Sequence, residues 1–369
     1  MEVYKGTPMF SSTDHAYMSL ALQLAEKGLY STSPNPRVGC VIVSDDHMVG
    51  SGWHERAGQP HAEINALNVA GTAAQGSTAY VTLEPCGHHG RTPPCAEALI
   101  KAGIARVVAA MQDPNPLVAG NGCALLKQAG IEVETGLMEA EAKALNIGFV
   151  ARMTRKRPWV RMKIAASLDG KTALNNGDSQ WITGEPARRD GHRLRARSCA
   201  VLTGIGTVLA DNPQLTVRHV KTTRQPLRVV VDSHLEIPVD ARVLRDEGEL
   251  IFTATASEEK IVALRDVGAR AIVLPDENEN VDLVKMMQTL ADFEINEVLV
   301  EAGGKLNGSL IHAGLVDELV VYLAPYLIGG AARSMLNLPE LRDLAEKRPL
   351  KIYDLRTVGP DIRVIARFS

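Results

Sequence analysis

The sequence predicts two α/β domains joined near residue 155. Three observations support this prediction. The chain has 369 residues, which is long for a single core. Apolar strand-like runs alternate with helical patterns through both halves. The short basic segment TRKRP at 154–158 ends in proline and is the best boundary candidate. We therefore expect one domain over residues 1–153 and a second over residues 158–369.

The first half of the chain alternates helical and strand-like patterns. Thr13 or Asp14 can cap a helix that runs to about Leu29 with apolar residues at helical spacing. Apolar strands follow at 38–44 and 48–53. The other predicted elements of this half are, in order, a helix from Pro60, a strand at 79–85, a helix from Cys95, a strand at 106–113, a helix at 119–129, the strand IEVETG and a helix at 138–150. This alternation predicts an α/β sandwich with a largely parallel sheet.

The second half continues the alternation but does not resemble the first half in sequence. PWVRMKIAASLDG, which follows the basic segment, begins a new strand. Helical patterns at 257–266 and 281–291 follow some of the later strands. The other predicted strands are CAVLTG, LRVVVD, ELIFTAT, ARAIVL and NEVLVEAGG. Their apolar character predicts a second α/β domain with a buried sheet.

Composition narrows the class of protein. Apolar residues make up 45% and charged residues 22% of the chain, as in ordinary soluble globular proteins. A net charge of −3 indicates no broad basic surface for nucleic acid or an anionic membrane. Five cysteines, an odd number, fit a reducing compartment better than a disulfide framework. We see no signal peptide and no apolar run near the ~20 residues that span a bilayer. We therefore expect a cytoplasmic protein without nucleic-acid or membrane partners.

A cluster of metal-binding residue types lies between residues 61 and 95. His61 and Glu63 in the sequence HAE follow Pro60, and proline favours the first turn of a helix, where both side chains can address one point. Cys86 and Cys95 each follow a proline near a predicted helix start, where free N–H groups favour the thiolate. One imidazole and two thiolates leave the fourth position of zinc open for water, and a nearby carboxylate can then shuttle protons.

Two other interpretations of this cluster stay open at this point. HAE alone is also compatible with a solvated helix start. A structural Cys₂His₂ site that uses His88 or His89 would close the coordination shell of the metal. Glu63 would then have no role at the site. We prefer to place both histidines in a loop, as residues that touch the substrate and not the metal.

Three ordered motifs of the first half resemble a known family. SPNPRVGCVIV at 33–43, GWHERAGQPHAE at 52–63 and TLEPCGHHGRTPPC at 82–95 are similar to the cytidine-deaminase superfamily. Eight residues separate the two cysteines, in place of the two in the short deaminase motif, and this spacing resembles the pyrimidine deaminase of riboflavin biosynthesis. The resemblance implies a cytidine-deaminase-like α/β/α fold for the first domain.

The same resemblance implies roles for single residues. Zinc would be held by His61, Cys86 and Cys95, with Glu63 as the catalytic proton shuttle. Substrate contacts would come from Asn35, His54 and Arg91. By residue type alone, Asn35 is a turn former and His54 an ordinary exposed histidine. Arg91 stands where relatives often carry lysine, so the geometry of its contact would differ.

Two glycine-containing segments of the second half are candidates for phosphate binding. TGIGTVLADNP at 203–213 lacks the third glycine and the acidic residue of the dinucleotide fingerprint. VLVEAGGKLNGSLI at 298–311 runs from a buried strand through glycines into a helix, whose N–H groups and dipole would bind a phosphate. By pattern alone, an ordinary turn between strand and helix explains this second segment nearly as well.

Four motifs of the second half resemble a second family. MKIAASLDGKTA at 162–173, SQWITG at 179–184, LRARSCAVLTGIGTVLADNPQLTVR at 194–218 and VEAGGKLNGSLI at 300–311 are similar to the riboflavin-pathway reductase. This resemblance implies a dihydrofolate-reductase-like α/β fold for the second domain. In that family NADPH delivers a hydride to C1′ of the ribose and opens the ring to a ribityl chain.

The second resemblance implies a cofactor site and a substrate site. The NADPH site would contain Ala165, Trp181, Thr207, Asp211, Gly303, Gly304, Lys305, Leu306, Asn307, Gly308 and Ser309. The substrate site would contain Ser179, Arg195, Leu215, Arg218 and Glu301, with the two arginines suited to a phosphate. Ser233 is our candidate for the cofactor's 2′-phosphate, and Lys163 and Glu301 are candidates for proton handling. Asp211 could instead simply end a helix, and Trp181 could belong to the core.

The two resemblances together predict a bifunctional enzyme of riboflavin biosynthesis. It would hydrolytically remove the 2-amino group of a phosphoribosylated diaminopyrimidine with zinc and then reduce the ribose with NADPH. We expect a small-molecule substrate and a homo-oligomer, either a dimer or a tetramer. A nucleic-acid base deaminase with an accessory domain would need a basic surface, which the composition does not indicate. A non-enzymatic zinc-binding module would not explain why the carboxyl group of Glu63 accompanies the proposed zinc ligands.

Overall fold

The chain forms two compact units, Met1–Arg155 and Lys156–Ser369, and each has its own hydrophobic core. A computed structural model describes residues 10–87, 94–245 and 248–368. No helix within these ranges is both long and apolar enough to cross a bilayer. Each unit carries its own set of predicted site residues.

The N-terminal unit is built on a mixed five-stranded sheet. Its helices and strands are, in chain order, α1 (Ser12–Glu26), β1 (Gly39–Ser44), β2 (His47–Trp53), α2 (Ala62–Ala70), β3 (Thr78–Val81), α3 (Cys95–Lys101), β4 (Arg106–Ala109), α4 (Asn121–Gln128), β5 (Glu132–Thr135), α5 (Glu139–Leu145) and α6 (Ile147–Arg155). The strand order is β2-β1-β3-β4-β5. β1 is antiparallel to β2 and β3, whereas β3, β4 and β5 run parallel. The prediction of a largely parallel sheet was therefore wrong for β1, which runs antiparallel to both of its neighbours.

The first helix begins and ends earlier than the sequence predicted. Ser11 is its N-cap, because the Ser11 hydroxyl accepts a hydrogen bond from the Asp14 N–H at 3.0 Å. The Asp14 carboxylate in turn accepts the Ser11 N–H at 2.9 Å, which completes a capping box. Asp14 is thus the third residue of the helix and not its cap.

The predicted helix at 138–150 is divided into α5 and α6 at Asn146. The Asn146 side chain accepts the N–H of Arg37 at 2.8 Å and donates to the Arg37 carbonyl at 2.9 Å. Asn146 is 1% exposed. Because these two bonds fix Asn146 against a distant segment, its backbone leaves the helical conformation there and the helix restarts at Ile147.

Glycines in β1 and β2 allow helices to pack closely on both faces of the sheet. A Cβ at Gly39 would lie 2.0 Å from the carbonyl oxygen of Ala21 in α1, and one at Gly52 would lie 2.6 Å from the N atom of Ala66 in α2. Gly52 pairs with Cys40, the neighbour of Gly39, so the two glycines point to opposite faces. α1 and α2 therefore cover opposite faces, which gives the α/β/α arrangement.

The C-terminal unit contains a nine-stranded sheet. Its helices and strands are, in chain order, β6 (Trp159–Ser167), β7 (Lys171–Ala173), α7 (Glu185–Arg197), β8 (Ala200–Gly204), α8 (Ile205–Asp211), β9 (Leu227–Val231), β10 (Leu250–Thr253), α9 (Glu258–Asp266), β11 (Arg270–Val273), α10 (Leu283–Asp292), β12 (Glu297–Val300), α11 (Gly304–His312), β13 (Glu318–Ala324), β14 (Arg333–Ser334), β15 (Leu350–Val358) and β16 (Asp361–Phe368). The strand order is β11-β10-β9-β8-β12-β6-β13-β16-β15, and β7 pairs separately with β14.

The large sheet is parallel from β11 to β13 and ends in two antiparallel strands. β13, β16 and β15 were not among the predicted strands. The parallel strands β8, β9, β10 and β12 are almost completely buried, as their apolar sequences predicted. Their carboxyl ends lie at one edge of the sheet, where ligands bind in open parallel sheets.

Glu84 holds the turn that precedes Cys86 against the rest of the N-terminal unit. It follows β3 and is 5% exposed. Its carboxylate accepts hydrogen bonds from the backbone N–H groups of Asp113 (3.1 Å), Gly120 (2.9 Å) and Cys123 (3.0 Å). The carboxylate thereby joins the strand end that leads to Cys86 to the segment between β4 and α4. The sequence analysis did not identify this residue.

We expect E84Q to destabilise the N-terminal unit. Gln has the size of Glu, but one carboxylate oxygen becomes an NH₂ group that cannot accept the N–H groups now bound there. The free energy of unfolding should fall by about 2 kcal/mol or more. Urea unfolding followed by circular dichroism measures this change, and hydrogen exchange at Gly120 and Cys123 should accelerate. E132Q is the matched control, because Glu132 in β5 is exposed. Equal stabilities of E84Q and E132Q would contradict the bracing role.

Candidate functional site

His61, Cys86 and Cys95 meet in the N-terminal unit. His61 is the N-cap of α2 and Cys95 is the first residue of α3, so both stand at helix starts. Their ligand atoms and that of Cys86 all lie within 4.8 Å of one another. Nδ1 of His61 is 3.2 Å from Sγ of Cys95 and 3.7 Å from Sγ of Cys86. The structure thus brings together the three residues that the sequence predicted as metal ligands.

The two thiols of this cluster differ in how readily they ionise. The hydrogen bond from the Cys95 thiol is the main cause that lowers the pKa of Cys86 to about 4, and His61 adds to the effect. The Cys95 N–H also donates to Sγ of Cys86 at 3.2 Å. The Cys95 thiol donates its proton to the Cys86 sulfur and is buried. Both effects raise the pKa of Cys95. A metal ion would replace this shared proton, because the thiolate is the form that binds metal.

The donor set fits zinc. One imidazole nitrogen and two sulfurs are typical zinc ligands, and bond lengths of about 2.1 Å and 2.3 Å would place them roughly 3.6 Å apart in a tetrahedron. The two nitrogen–sulfur distances, 3.2 Å and 3.7 Å, are close to that separation. Three protein ligands leave one tetrahedral position for water, as catalytic zinc sites require.

Glu63 lies in the first turn of α2 and is only 3% exposed. Burial raises the pKa of its carboxyl group to about 7, and the carboxyl also interacts with the Cys95 thiol. A group with this pKa can accept and return a proton near neutral pH, which is what a general acid–base needs. The solvated helix start considered above is therefore wrong for Glu63.

Asn35 and His54 are hydrogen-bonded to each other beside the metal cluster. The Asn35 amide donates to Nε2 of His54 at 3.0 Å, so Nδ1 carries the proton and donates to the Pro60 carbonyl at 3.1 Å. The His54 ring packs edge-on against His61 with centroids 5.3 Å apart. His54 is 3% exposed, so its interpretation as an ordinary exposed histidine is wrong. Burial also lowers its pKa, which keeps the ring neutral.

His88, His89 and Arg91 lie outside the described residues. The prediction that the two histidines are loop residues and not metal ligands stays a prediction. The same holds for the contact between Arg91 and the substrate.

A cavity of about 1670 Å³ opens within the C-terminal unit. It is larger than the roughly 300–1,000 Å³ of a typical small-molecule site, so it has room for two ligands. Most of the predicted reductase residues line it. They are Lys163, Ala165, Ser179, Trp181, Arg195, Thr207, Asp211, Leu215, Arg218, Ser233, Glu301, Gly303, Gly304, Lys305, Leu306 and Ser309.

Asn307 and Gly308 have a supporting position next to this cavity and are not part of its described lining. The buried Asn307 side chain donates to the carbonyls of Ala302 at 3.1 Å and Met335 at 3.3 Å. A Cβ at Gly308 would lie 1.9 Å from the carbonyl oxygen of Asn337. Both residues therefore hold the segment around Met335 against α11.

The start of α11 faces the cavity. Gly303 is its N-cap, and Gly304 and Lys305 form its first turn. First-turn N–H groups have no acceptor within the helix, and the helix dipole favours an anion there. A Cβ at Gly304 would lie 2.5 Å from the Ser334 carbonyl oxygen, so a larger residue does not fit. The position of these residues on the cavity wall favours a phosphate site over an ordinary turn.

Glu301, which follows β12, is held by two cations. Nε of Arg195 lies 2.5 Å and Nη2 3.0 Å from its carboxylate oxygens, and Nζ of Lys163 lies 3.6 Å away. Burial alone would raise the pKa of Glu301, but Arg195 and then Lys163 outweigh burial and hold the pKa at about 2. Glu301 is therefore ionised near neutral pH. The expectation that Lys163 and Glu301 handle protons in the reduction stays a prediction, and Lys163 lines the same cavity.

The segment that carries Leu215 and Arg218 is held by side chains that the sequence analysis missed. Gln225 accepts the N–H of Val217 at 2.7 Å and donates to its carbonyl at 3.2 Å. Nδ1 of His192 accepts the N–H of Arg218 at 3.2 Å. Neither residue belongs to a recognisable motif, and only the fold brings them to this segment.

Trp181 and Asp211 both line the cavity. Trp181 is 66% exposed, so the alternative that it belongs to the core is wrong. The Arg188 guanidinium lies 4.6 Å from the centre of its ring. Asp211 is the last residue of α8 and accepts a hydrogen bond from the Ser179 hydroxyl at 3.3 Å. Asp211 therefore ends a helix and also faces the site.

Two protein-family models match the chain. Residues 11–111 match the cytidine and deoxycytidylate deaminase zinc-binding region. Residues 158–364 match the RibD C-terminal domain. The first match contains the cluster of His61, Cys86 and Cys95, and it supports zinc as the metal. The second contains the residues that line the large cavity.

Curated relatives match the chain over almost their full length. The riboflavin biosynthesis protein RibD of Escherichia coli (strain K12) is 50% identical over 361 residues, which are 95% of this chain and 98% of the relative. RibD of Haemophilus influenzae is 46% identical over 367 residues, which are 96% of this chain and 97% of the relative.

Solved structures share the fold of the whole chain. Acinetobacter baumannii RibD (form 1) superposes with a TM-score of 0.90 at 46% identity, over 97% of this chain and 99% of that chain. A diaminohydroxyphosphoribosylaminopyrimidine deaminase/5-amino-6-(5-phosphoribosylamino)uracil reductase from Thermotoga maritima has a TM-score of 0.85 at 34% identity, with coverage of 97% and 99%. The predicted fold class, a cytidine-deaminase-like unit followed by a dihydrofolate-reductase-like unit, is confirmed.

The structures of the two units and their similarity to known proteins indicate one protein family. The N-terminal unit combines a zinc-type donor cluster with a buried carboxyl group, and it matches a deaminase model. The C-terminal unit matches a reductase domain over most of its length, and relatives with both units are 46–50% identical to this chain. The chain therefore belongs to the RibD family of riboflavin biosynthesis proteins, bifunctional enzymes that join a deaminase to a reductase.

Proposed function

We propose that the N-terminal unit deaminates a phosphoribosylated diaminopyrimidine with zinc and that the C-terminal unit reduces the ribose of the product with NADPH. The observation that carries this proposal is the presence of a separate reactive cluster in each unit. Glu63 is buried beside His61, Cys86 and Cys95, while Lys163 and Glu301 line a cavity with room for two ligands. The substrate class is that named for the Thermotoga maritima relative.

In the deaminase site, His61, Cys86 and Cys95 would hold zinc, which when bound lowers the pKa of a water molecule toward neutrality. The Glu63 carboxylate accepts a proton and returns it to the departing amino group, which leaves as ammonia. Asn35 and His54 orient the pyrimidine ring. The hydrogen bond between their side chains fixes both in one geometry, so the substrate need not order them.

Replacement of Glu63 by Gln tests the proton shuttle. We expect E63Q to retain one zinc ion per chain, because Glu63 is not one of the proposed ligands. Deamination should fall by about 10²–10⁴-fold, the range of general acid–base catalysis. Metal analysis and an ammonia-release assay measure the two properties. Reduction of the already deaminated substrate is the internal control and should be unchanged. Loss of zinc together with surviving deamination would overturn the assignment.

In the reductase site, the phosphates of NADPH would bind at the start of α11, formed by Gly303, Gly304 and Lys305. NADPH supplies the hydride that reduces C1′ of the ribose. Ala165, Trp181, Thr207, Asp211 and Ser309 complete the cofactor side of the cavity, with Ser233 as the contact for the 2′-phosphate. Leu306, Asn307 and Gly308 shape or support this helix start.

The substrate side of the reductase cavity would be formed by Ser179, Arg195, Leu215, Arg218 and Glu301. Lys163 would handle a proton, and two observations support this role: the residue lines the cavity, and its Nζ lies 3.6 Å from the Glu301 carboxylate. An ammonium can give a proton to the ribose oxygen as the ring opens. Glu301 would hold Lys163 and Arg195 in place and accept a hydrogen bond from the substrate.

Oxidation of NADPH by the purified chain tests the whole proposal. We expect the absorbance of the reduced nicotinamide to fall only when the pyrimidine substrate is present. With the amino form of the substrate, E63Q should oxidise NADPH about 10²–10⁴-fold more slowly than the wild-type chain, whereas with the deaminated form it should match the wild-type chain. S233A should raise the KM for NADPH and not that for NADH. Oxidation that does not depend on the pyrimidine, or none with the deaminated substrate, would contradict the proposal.

We also propose a cytoplasmic homo-oligomer. All five cysteines have free thiols, which fit a reducing compartment. β15 is an edge strand with exposed apolar side chains, including Ile352 (61%) and Leu355 (64%), and such edges commonly pair with another chain. Sedimentation equilibrium should give a dimer or a tetramer, and I352K should shift the distribution toward the monomer. A wild-type chain that stays monomeric would rule out the oligomer.

A further inference from the structure

The segment 179–183 lies between β7 and α7, and all five of its residues line the large cavity. The Ser179 hydroxyl donates to the Asp211 carboxylate at 3.3 Å, and the Tyr326 hydroxyl donates to the Trp181 carbonyl at 3.4 Å. Hydrogen bonds from a hydroxyl to an oxygen usually measure about 2.7–2.8 Å. These two bonds are therefore weak restraints on the segment.

Arg188 holds the same segment more closely. It lies near the start of α7 and is half-buried. Its Nη1 donates to the Thr183 carbonyl at 2.7 Å, and its guanidinium lies 4.6 Å from the centre of the Trp181 ring. A guanidinium within about 6 Å of a ring centroid is attracted to the face of the ring. One side chain thus contacts the segment at two residues, through a hydrogen bond and a cation–π contact.

The Trp181 ring offers most of its surface to the cavity, because the residue is 66% exposed and lies in the cavity wall. An indole with this exposure presents a large, rigid apolar face to a ring or a sugar of a ligand. An unrestrained indole can occupy several rotamers, and a ligand that orders it loses affinity. Because Arg188 restrains the ring in the empty cavity, less conformational freedom is lost when a ligand binds.

We propose that Arg188 is a positioning residue that orients Trp181 for contact with the nicotinamide cofactor. This inference rests on the proposed reductase function, in which Trp181 belongs to the cofactor side of the cavity. The hydrogen bond from Arg188 to the Thr183 carbonyl fixes the guanidinium, and the guanidinium in turn fixes the ring. Arg188 therefore acts on the cofactor through Trp181, and its loss should weaken the binding of NADPH more than that of the pyrimidine.

The kinetic test compares R188Q with R193Q. Arg193 lies on the same helix, is exposed and is not part of the described cavity lining, so R193Q removes an equal charge outside the site. R188Q should raise the KM for NADPH about fivefold to tenfold with kcat within about twofold, because a cation–π contact and a charged hydrogen bond are lost. R193Q should leave both unchanged. R188K keeps a cation that can lie over the ring and should recover most of the loss.

A double-mutant cycle with W181A tests whether Arg188 acts through Trp181. In the W181A background, R188Q should raise the KM for NADPH by less than about twofold, because the ring that Arg188 orients is then absent. The KM for the deaminated pyrimidine and the rate of deamination should not change in R188Q.

Fluorine NMR follows the orientation of Trp181 directly. The chain has three tryptophans, Trp53, Trp159 and Trp181, so labelling with fluorinated tryptophan gives one resonance for each. W181F identifies the resonance of Trp181. R188Q should shift or broaden that resonance and leave the other two in place, because the Arg188 guanidinium lies against the Trp181 ring. R193Q should change none of the three.

Four results would overturn the inference. They are an unchanged KM for NADPH in R188Q, additive losses in the double variant, a Trp181 resonance that R188Q leaves in place, and equal movement of all three resonances, which would indicate a general structural role. Failure of the wild-type chain to oxidise NADPH with the deaminated pyrimidine would instead refute the proposed function. The fluorine spectra do not depend on turnover, so the two failures are distinguishable.

Discussion

Both proposed sites are built at the start of a helix that follows a strand. In the N-terminal unit, His61 precedes α2 and Cys95 begins α3, and the Cys95 N–H donates to the Cys86 sulfur. This donor helps to keep a thiolate where a metal needs one. In the C-terminal unit, β12 leads through glycines into α11, whose first turn faces the cavity. The same backbone feature would serve the proposed zinc site in one unit, through thiolates, and the proposed phosphate site in the other.

Three glutamates show how surroundings decide the role of a carboxyl group. Glu63 is almost fully buried, so burial raises its pKa and it can exchange a proton near neutral pH. Glu301 is half-buried, and Arg195 and Lys163 keep it ionised, so it positions other groups. Glu84 accepts three backbone N–H groups and braces a turn. All three lie in motifs of the sequence, but only their contacts in the structure distinguish the proposed proton shuttle from the two carboxylates that hold other groups in place.

The sequence predicted much of the fold and of both sites, because strand periodicity and motif spacing are local properties. The structure brings His61, Cys86 and Cys95 together as the motifs suggested. Other features rest on contacts that no local pattern encodes. The break between α5 and α6 depends on hydrogen bonds from Asn146 to Arg37, 109 residues away in sequence. β15 was missed because it is a largely exposed edge strand without clean alternation of apolar and polar residues.

The charges around Glu301 show how one carboxylate can hold two cationic side chains in the reductase cavity. Arg195 and Lys163 carry two positive charges against the single negative charge of Glu301, which leaves one net positive charge near the proposed site of ribose reduction. Arg195 also donates to the Thr216 carbonyl at 2.9 Å, so three of its five N–H groups are held by the protein. Its guanidinium therefore has a fixed orientation in the cavity wall, which suits a group that orients a bound substrate.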